Sequence, residues 1–414
     1  MLSPIRFRSL VLNHWRMDIF GMNAVKNENA FLICMLLGLG SVLGLSGIDL
    51  VLPSIPSLPE ILGGDQTASQ FVIASFVAGT AFGMLLFGNL ASRIGTSSLL
   101  FSSLTLYAIA SFVCSFAENL DVLILCRFFQ GLFSSAPAVL APGIAKNLFD
   151  EKGATKALGM LGSVESLVPA LAPIVGVWLL TFGTWKYSFF LTAFLSILLA
   201  LVFLFVRIDN VGVPSNGKQG SYLSLLKSPV FQRYSLSQAL NLGGLLVFVF
   251  GAPVVIVKTM NSDISKFAQM QTIGVAFFIA GAVLSPSVLS RKLKPERLIT
   301  IGTLCSLISS ILLVVYSIFG NNNPNVVLMI FPLMNVGLGL RGPTGFLRGI
   351  ISANGDDNRA SSLILLSIIT VTSGGTALIA PFLNYGLFAL SLFAGVLHLA
   401  ACLVLLFLPK LPES

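Results

Sequence analysis

Apolar residues run along this chain in long blocks, with polar breaks between them that are mostly short. A helix that crosses a bilayer needs about 20 mostly apolar residues. By that measure the pattern predicts twelve spans, at 30–54, 69–91, 97–117, 121–145, 155–181, 186–207, 229–257, 267–290, 297–319, 325–349, 360–383 and 386–408. Only Ala117–Asp121 parts the third span from the fourth, as a tight turn would. The longest internal break is 208–228, rich in Gly, Ser and Asn. It divides the pattern into six spans and six: an N-terminal bundle over 30–207 and a C-terminal bundle over 229–414, with 1–29 as an extension in front. The expected fold class is therefore all-α and membrane-embedded, as two six-helix bundles.

Composition agrees. Only 10% of the 414 residues are charged and 55% are hydrophobic, whereas a soluble domain carries about 25% charge. Such a chain cannot cover a globular surface with polar groups, so its surface faces lipid. The net charge of +8 does not point to nucleic acid, because the basic residues lie between apolar runs. Their sidedness is strong. Of 24 Lys and Arg, nineteen fall in or within about a turn of the breaks on one side, three (Lys186, Lys258, Lys266) on the other, and two (Arg127, Arg341) deep inside spans. The positive-inside rule then puts both termini in the cytoplasm. The stretch IRFRSLVLNHWRMDIF alternates basic and apolar residues, as a helix on the inner leaflet or a cytoplasmic extension would.

The five cysteines sit in apolar stretches without a CxxC, and His14 and His398 are far apart. No P-loop, GxSxG or HExxH occurs. The chain is thus expected to hold no metal or cofactor and to catalyse no reaction. A small-molecule solute is the expected partner, with the bilayer around a single copy of the chain.

Three segments carry a resemblance. GNLASRIGTSS at 88–98 is similar to the loop signature G-x-L-a-D-R-x-G-R-R of the major facilitator superfamily: Gly88, Leu90, Arg93 and Gly95 match, while Ser92 replaces the signature Asp. CRFFQG at 126–131 resembles R-x-x-Q-G, with Arg127, Gln130 and Gly131 in place. In span five, Gly162, Pro169, Ala172, Pro173 and Gly176 resemble the G-P-x-x-G antiporter signature. The first span narrows this. GIDLVLPSIPSLP resembles the D-x-Y-L-P-A-L-P stretch of the Bcr/CflA drug-resistance branch, with Asp49, Leu52, Pro53 and Pro56 matching. The resemblance implies a proton-coupled antiporter that exports small amphipathic compounds across a bacterial inner membrane by alternating access. A dedicated transporter of one metabolite, such as a siderophore or a nutrient anion, is the alternative.

Ionisable groups inside spans are costly unless paired or wetted, so each is a candidate. Asp49 lies about 8 Å below the outer end of span one, five residues at 1.5 Å each. Arg127 lies at similar depth in span four, so the two are expected to pair and to act in proton coupling. Glu165 sits near the midplane of span five, as a proton carrier or a holder of a cationic substrate. Arg341, in span ten, is expected to face the central cavity and to pair with Glu165 or bind an anionic substrate group. Gln70, Asn241, Gln271 and Asn335 are further polar candidates for the cavity. Gly88, Arg93, Gly95, Gln130 and Gly131 are expected in gating and packing. Gly162, Pro169, Pro173 and Gly176 are expected to form a kinked seam facing span eleven, where Gly374, Gly375 and Pro381 give a similar character.

Overall fold

The computed structural model describes residues 28–64, 66–91, 93–206, 221–287, 289 and 293–412. Residues 1–27 of the expected extension at 1–29, most of the central break and Ser92 lie outside the described residues. The described residues contain helices and no strand.

Among the described residues, eleven helical stretches are long and apolar enough to cross a membrane, and the last, Asp357–Phe407, is 51 residues long. It breaks at the 3₁₀ turn Ala380–Tyr385 into two helices, which gives the twelve predicted spans. They are α1 (Glu28–Asp49), α2 (Gln66–Leu90), α3 (Thr96–Cys114), α4 (Leu120–Leu148), α5 (Glu151–Leu180), α6 (Lys186–Phe205), α7 (Pro229–Thr259), α8 (Ile264–Ser287), α9 (Pro295–Phe319), α10 (Pro324–Ile351), α11 (Asp357–Ile379) and α12 (Gly386–Phe407).

Local sequence explains the starts and breaks. Asn119 and Asp150 cap α4 and α5 by accepting from Val122 N (2.9 Å) and Gly153 N (2.8 Å). Ser228-Pro229 and Asn323-Pro324 open α7 and α10 with a capping side chain followed by a proline that has no amide to lose. Breaks that the apolar pattern does not reveal fall inside spans. α4 is interrupted at Ser135, just before Pro137, and α5 at Ser166-Leu167, just before Pro169. Each proline removes an amide from the helical ladder.

Within the first half (α1–α6), α2 packs on α4 and α3 on α6; within the second half (α7–α12), α8 and α9 both pack on α10, and α12 on α7 and α9. Between halves, α2 meets α11 and α5 meets α8. This corrects the expectation that span five faces span eleven. The halves are related as counterparts, so the contact α5–α8 is repeated as α11–α2, and α5 and α11 lie on opposite flanks of the molecule.

Candidate functional site: a closed end and two buried arginines

The side-chain contacts that cross between halves gather at one end, the end carrying the breaks after α2, α4 and α10. Lys146 on α4 meets Asp357, the first residue of α11, at 2.6 Å, with Asn147 3.5 Å from the same carboxylate. Glu151 at the start of α5 pairs with Arg348 on α10 at 3.0 Å. Arg359 on α11 donates to Asn89 Oδ1 on α2 at 2.7 Å and is braced by Asp356 at 3.1 Å. Ser362 on α11 donates to the Met84 carbonyl on α2 at 2.7 Å. Beneath these polar links lies an apolar plug in which Leu347 of α10 is buried among Ala145, Ala154 and Leu158. Farther along α5, Gly159 and Gly162 lie against α8, near the Ala282 carbonyl and the Phe278 ring.

At the opposite end the elements turn to their own halves. Leu52–Leu62 packs on α2, α4 and α5, and Val255–Thr259 packs on Ala380–Tyr385. The Asp356 carboxyl, at the closed end and outside the spans, is held above its ordinary range by burial, with Arg359 working against that.

Asp49 is the last residue of α1, half-buried, and makes no hydrogen bond or ion pair among the described residues. Arg127 is fully buried and does not pair with it. Its guanidinium donates instead to the carbonyls of Gly47 (2.8 Å) and Val72 (3.2 Å) and to Gln130 Oε1 (2.7 Å), under the Phe76 ring 4.3 Å away. The expected ion pair fails on azimuth, not on depth: Asp49 stands two residues beyond Gly47, about 200° around the helix. The Gly47 carbonyl is one of the last four of α1, which have no partner within a helix. Val51 N bonds Ile48 O instead. Arg127 therefore caps α1 from a neighbouring helix, a cation at the negative end of the helix dipole. Gln130 passes the bond on, donating to Ser111 Oγ at 2.8 Å.

Arg341 is also fully buried, but it donates to the carbonyl (2.5 Å) and hydroxyl (3.1 Å) of Ser237 on α7. It does not reach Glu165, and it lies on the α9 side of α10, where it crowds Gly302. The expectation that it faces the cavity is thus not met in this conformation, because its face of α10 is turned into the second half.

Glu165 ends the first segment of α5, half-buried and beside Ser41 of α1. Gln70 is exposed and Gln271 half-buried. Asn241 and Asn335 are buried, and their amides donate to Ser306 Oγ (3.3 Å) and to the Phe331 carbonyl (3.1 Å). Arg93 and Gly95 are exposed in the turn before α3. Gly131 lets α4 lie directly on α2, where a β-carbon would stand 2.0 Å from the Phe76 carbonyl. Gly176 does the same for α5 on α1, against the Leu50 carbonyl at 2.4 Å. The prolines Pro169 and Pro173 lie in this same segment of α5.

The Major Facilitator Superfamily profile matches residues 35–377. The chain belongs to this superfamily. As a major facilitator it is a membrane transporter and not an enzyme. It is 23% identical to the bicyclomycin resistance protein homolog of Haemophilus influenzae over 266 residues, which is 63% of this chain and 67% of that protein. It is 26% identical to the multidrug resistance protein MdtL of Escherichia coli over 240 residues, 57% of this chain and 61% of MdtL. Among solved structures, the fold matches the transporter FucP in its outward conformation (TM-score 0.71, 16% identity, 91% of this chain and 99% of that one). It also matches the proton:xylose symporter XylE (TM-score 0.74, 16% identity, 92% and 96%).

The residues of the closed end were missed in the sequence, since Lys146, Arg348 and Arg359 had been read only as sidedness charges. A signal was present. Glu151, Asp356 and Asp357 are acids on the side where basic residues predominate, and each has a basic partner in the fold.

Proposed function

We propose that this major facilitator exports small amphipathic compounds across a bacterial inner membrane, driven by protons, by rocking its two six-helix halves against each other. The termini and the closed end then face the cytoplasm, and one copy of the chain carries the whole path. The observation that carries this reading is that, among the described residues, the halves are tied at one end by breakable polar links and an apolar plug, while Asp49 makes no hydrogen bond or ion pair toward the other end. The names of the relatives support drug export, since one is a bicyclomycin resistance homolog and another a multidrug resistance protein.

Asp49 is well suited to exchange a proton. Its carboxyl makes no hydrogen bond or ion pair among the described residues. The Arg127 guanidinium that caps α1 is committed to the Gly47 and Val72 carbonyls and to Gln130, so the carboxyl is free to take up a proton from outside. Glu165, beside the break in α5, is the second carrier, or the group that meets a cationic substrate. The alternative, a transporter dedicated to one metabolite, is separated from export of many compounds by the phenotype of a deletion strain.

Everted membrane vesicles test the coupling, with ethidium as the transported probe. An imposed pH gradient is expected to drive ethidium uptake, and Asp49→Asn is expected to abolish it while Glu165→Gln lowers it. Uptake that ignores the gradient, or survives Asp49→Asn unchanged, overturns the proposal. Sensitivity of a deletion strain to several unrelated toxicants favours export of many compounds, and a growth defect on one nutrient or under iron limitation favours the metabolite.

A further inference from the structure

The helical turn Tyr222–Lys227 belongs to the segment that joins the two halves. It is fixed at its start by Ser221, which accepts from Leu223 N at 3.2 Å, and it is followed at once by α7. It therefore moves with the second half. Its first residue reaches back to the first half. The Tyr222 hydroxyl donates to the Leu85 carbonyl of α2 at 2.6 Å. The same oxygen lies 3.4 Å from Ser362 Oγ of α11, which itself donates to the neighbouring Met84 carbonyl. The ring lies 5.9 Å from the guanidinium carbon of Arg359, the residue that holds Asn89.

A second observation points to the same seat. Gly88 lies one turn along α2 from Leu85, and a β-carbon on it would stand 2.5 Å from the Tyr222 hydroxyl and 2.7 Å from Ser362 Cβ. The glycine thus leaves a notch that the tyrosine and α11 fill together. The notch exists only while α2 and α11 are in contact. Both carbonyls that are used, Leu85 and Met84, belong to α2, and both donors belong to the second half or to the segment tied to it.

We propose that Tyr222 is a latch for the closed end, a positioning residue on the connecting segment whose bond to α2 must break each time the halves part there. It adds a link that neither bundle supplies alone, and it makes the connecting segment a participant in transport rather than a tether. The inference rests on the alternating reading above. Its consequence is a bias: one hydrogen bond contributes about 1 kcal/mol net, so its loss should multiply the open fraction about fivefold.

The test measures distances by pulsed electron resonance in the full chain, with the five native cysteines replaced and spin labels at Ile94 and Lys410. Both positions are exposed, one beyond α2 and the other beyond α12. The parent is expected to show a dominant short distance and a minor long one. Tyr222→Phe, which keeps the ring and loses the hydroxyl, should raise the long population about fivefold. Gly88→Ala, which fills the notch, should act in the same direction, and Tyr222→Ala should do so at least as strongly as Tyr222→Phe. A parent with two populations whose ratio Tyr222→Phe and Tyr222→Ala leave unchanged overturns the latch alone. One fixed distance in the parent and in all variants overturns the latch and the alternating reading together.

Discussion

Among the described residues, each half of the molecule buries one arginine completely, on helices that are counterparts, and the two are held differently. Arg127 on α4 has three oxygen partners on α1, α2 and its own helix, beneath the Phe76 ring. Arg341 on α10 has a single residue, Ser237, as its partner; each guanidinium leaves one nitrogen without an acceptor among the described residues, Nη2 of Arg127 and Nε of Arg341. Around it the second half's buried polar contacts are Asn241 to Ser306, and His398 bridging Ser310 (2.8 Å) and the Asn241 carbonyl (3.1 Å), while its buried ion pair, Arg233 with Glu296 at 2.8 Å, does not involve Arg341. A buried cation without a carboxylate is costly unless hydrogen bonds compensate it. The first half supplies that compensation and uses it to finish α1 beside Asp49. The second half compensates its cation through Ser237 alone. The lesson is that an arginine inside a span is not by itself a functional signal; what it completes decides.

The comparison breaks most visibly at the arginines themselves. Arg127→Met should leave the Gly47 carbonyl unpartnered and take away the bond to Gln130 Oε1, lower stability by about 3–5 kcal/mol and abolish transport. Arg341→Met removes a cation that has little to lose, and replacing poorly paired buried charge by apolar volume is often neutral or stabilising. Its melting temperature in detergent should stay within a few degrees of the parent, and a collapse equal to that of Arg127→Met would erase the distinction drawn between the halves.

Close packing gives the next effect. At Gly131 a β-carbon meets backbone, which cannot move aside as a side chain can. Gly131→Ala should therefore force α2 and α4 apart and cost about 1–3 kcal/mol, read as a lower melting temperature. Smaller again is the link between halves. Lys146→Asp or Asp357→Lys should each weaken the closed end by about 1–2 kcal/mol, between the values for exposed and buried pairs. The double exchange should recover most of it. Spin-label distances across the closed end give the measure, and single variants as closed as the parent would show that the pair does not hold the halves.

Much of this was legible beforehand, and the misses share a cause. Twelve apolar blocks fix twelve helices because burying the backbone in lipid leaves few alternatives. Depth along each span is also readable, since rise per residue is constant. Azimuth between helices is not. Asp49 and Arg127 were matched in depth, yet they stand on different sides of α1. Arg341 was expected to face the cavity, yet it turns into the second half, to Ser237 of α7 and against Gly302 of α9. The breaks within α4 and α5 were hidden because an interrupted helix is as apolar as a straight one. The closed end was readable only in part: its acids stood out against a basic side, but their partners come from the other half of the chain.

The smallest expected effect concerns the seam, and it tests whether the halves differ in packing as they do in charge. Gly176 of α5 is pressed on the Leu50 carbonyl, and the similar glycines in span eleven suggest a second seam of the same kind. Gly374 contradicts that, because a β-carbon placed there would meet nothing within 4 Å. Its neighbour Gly375 faces only side chains, with a Val247 methyl nearest at 2.8 Å, and a methyl can shift. Gly374→Ala should therefore cause no loss, and it can gain up to about 1 kcal/mol by removing the backbone freedom that glycine adds to a helix. Gly176→Ala must displace backbone and should lower the melting temperature clearly. Equal losses in the two variants would mean that α11 is clamped as tightly as α5 in a conformation other than this one, and that the asymmetry belongs to one state of the cycle rather than to the chain.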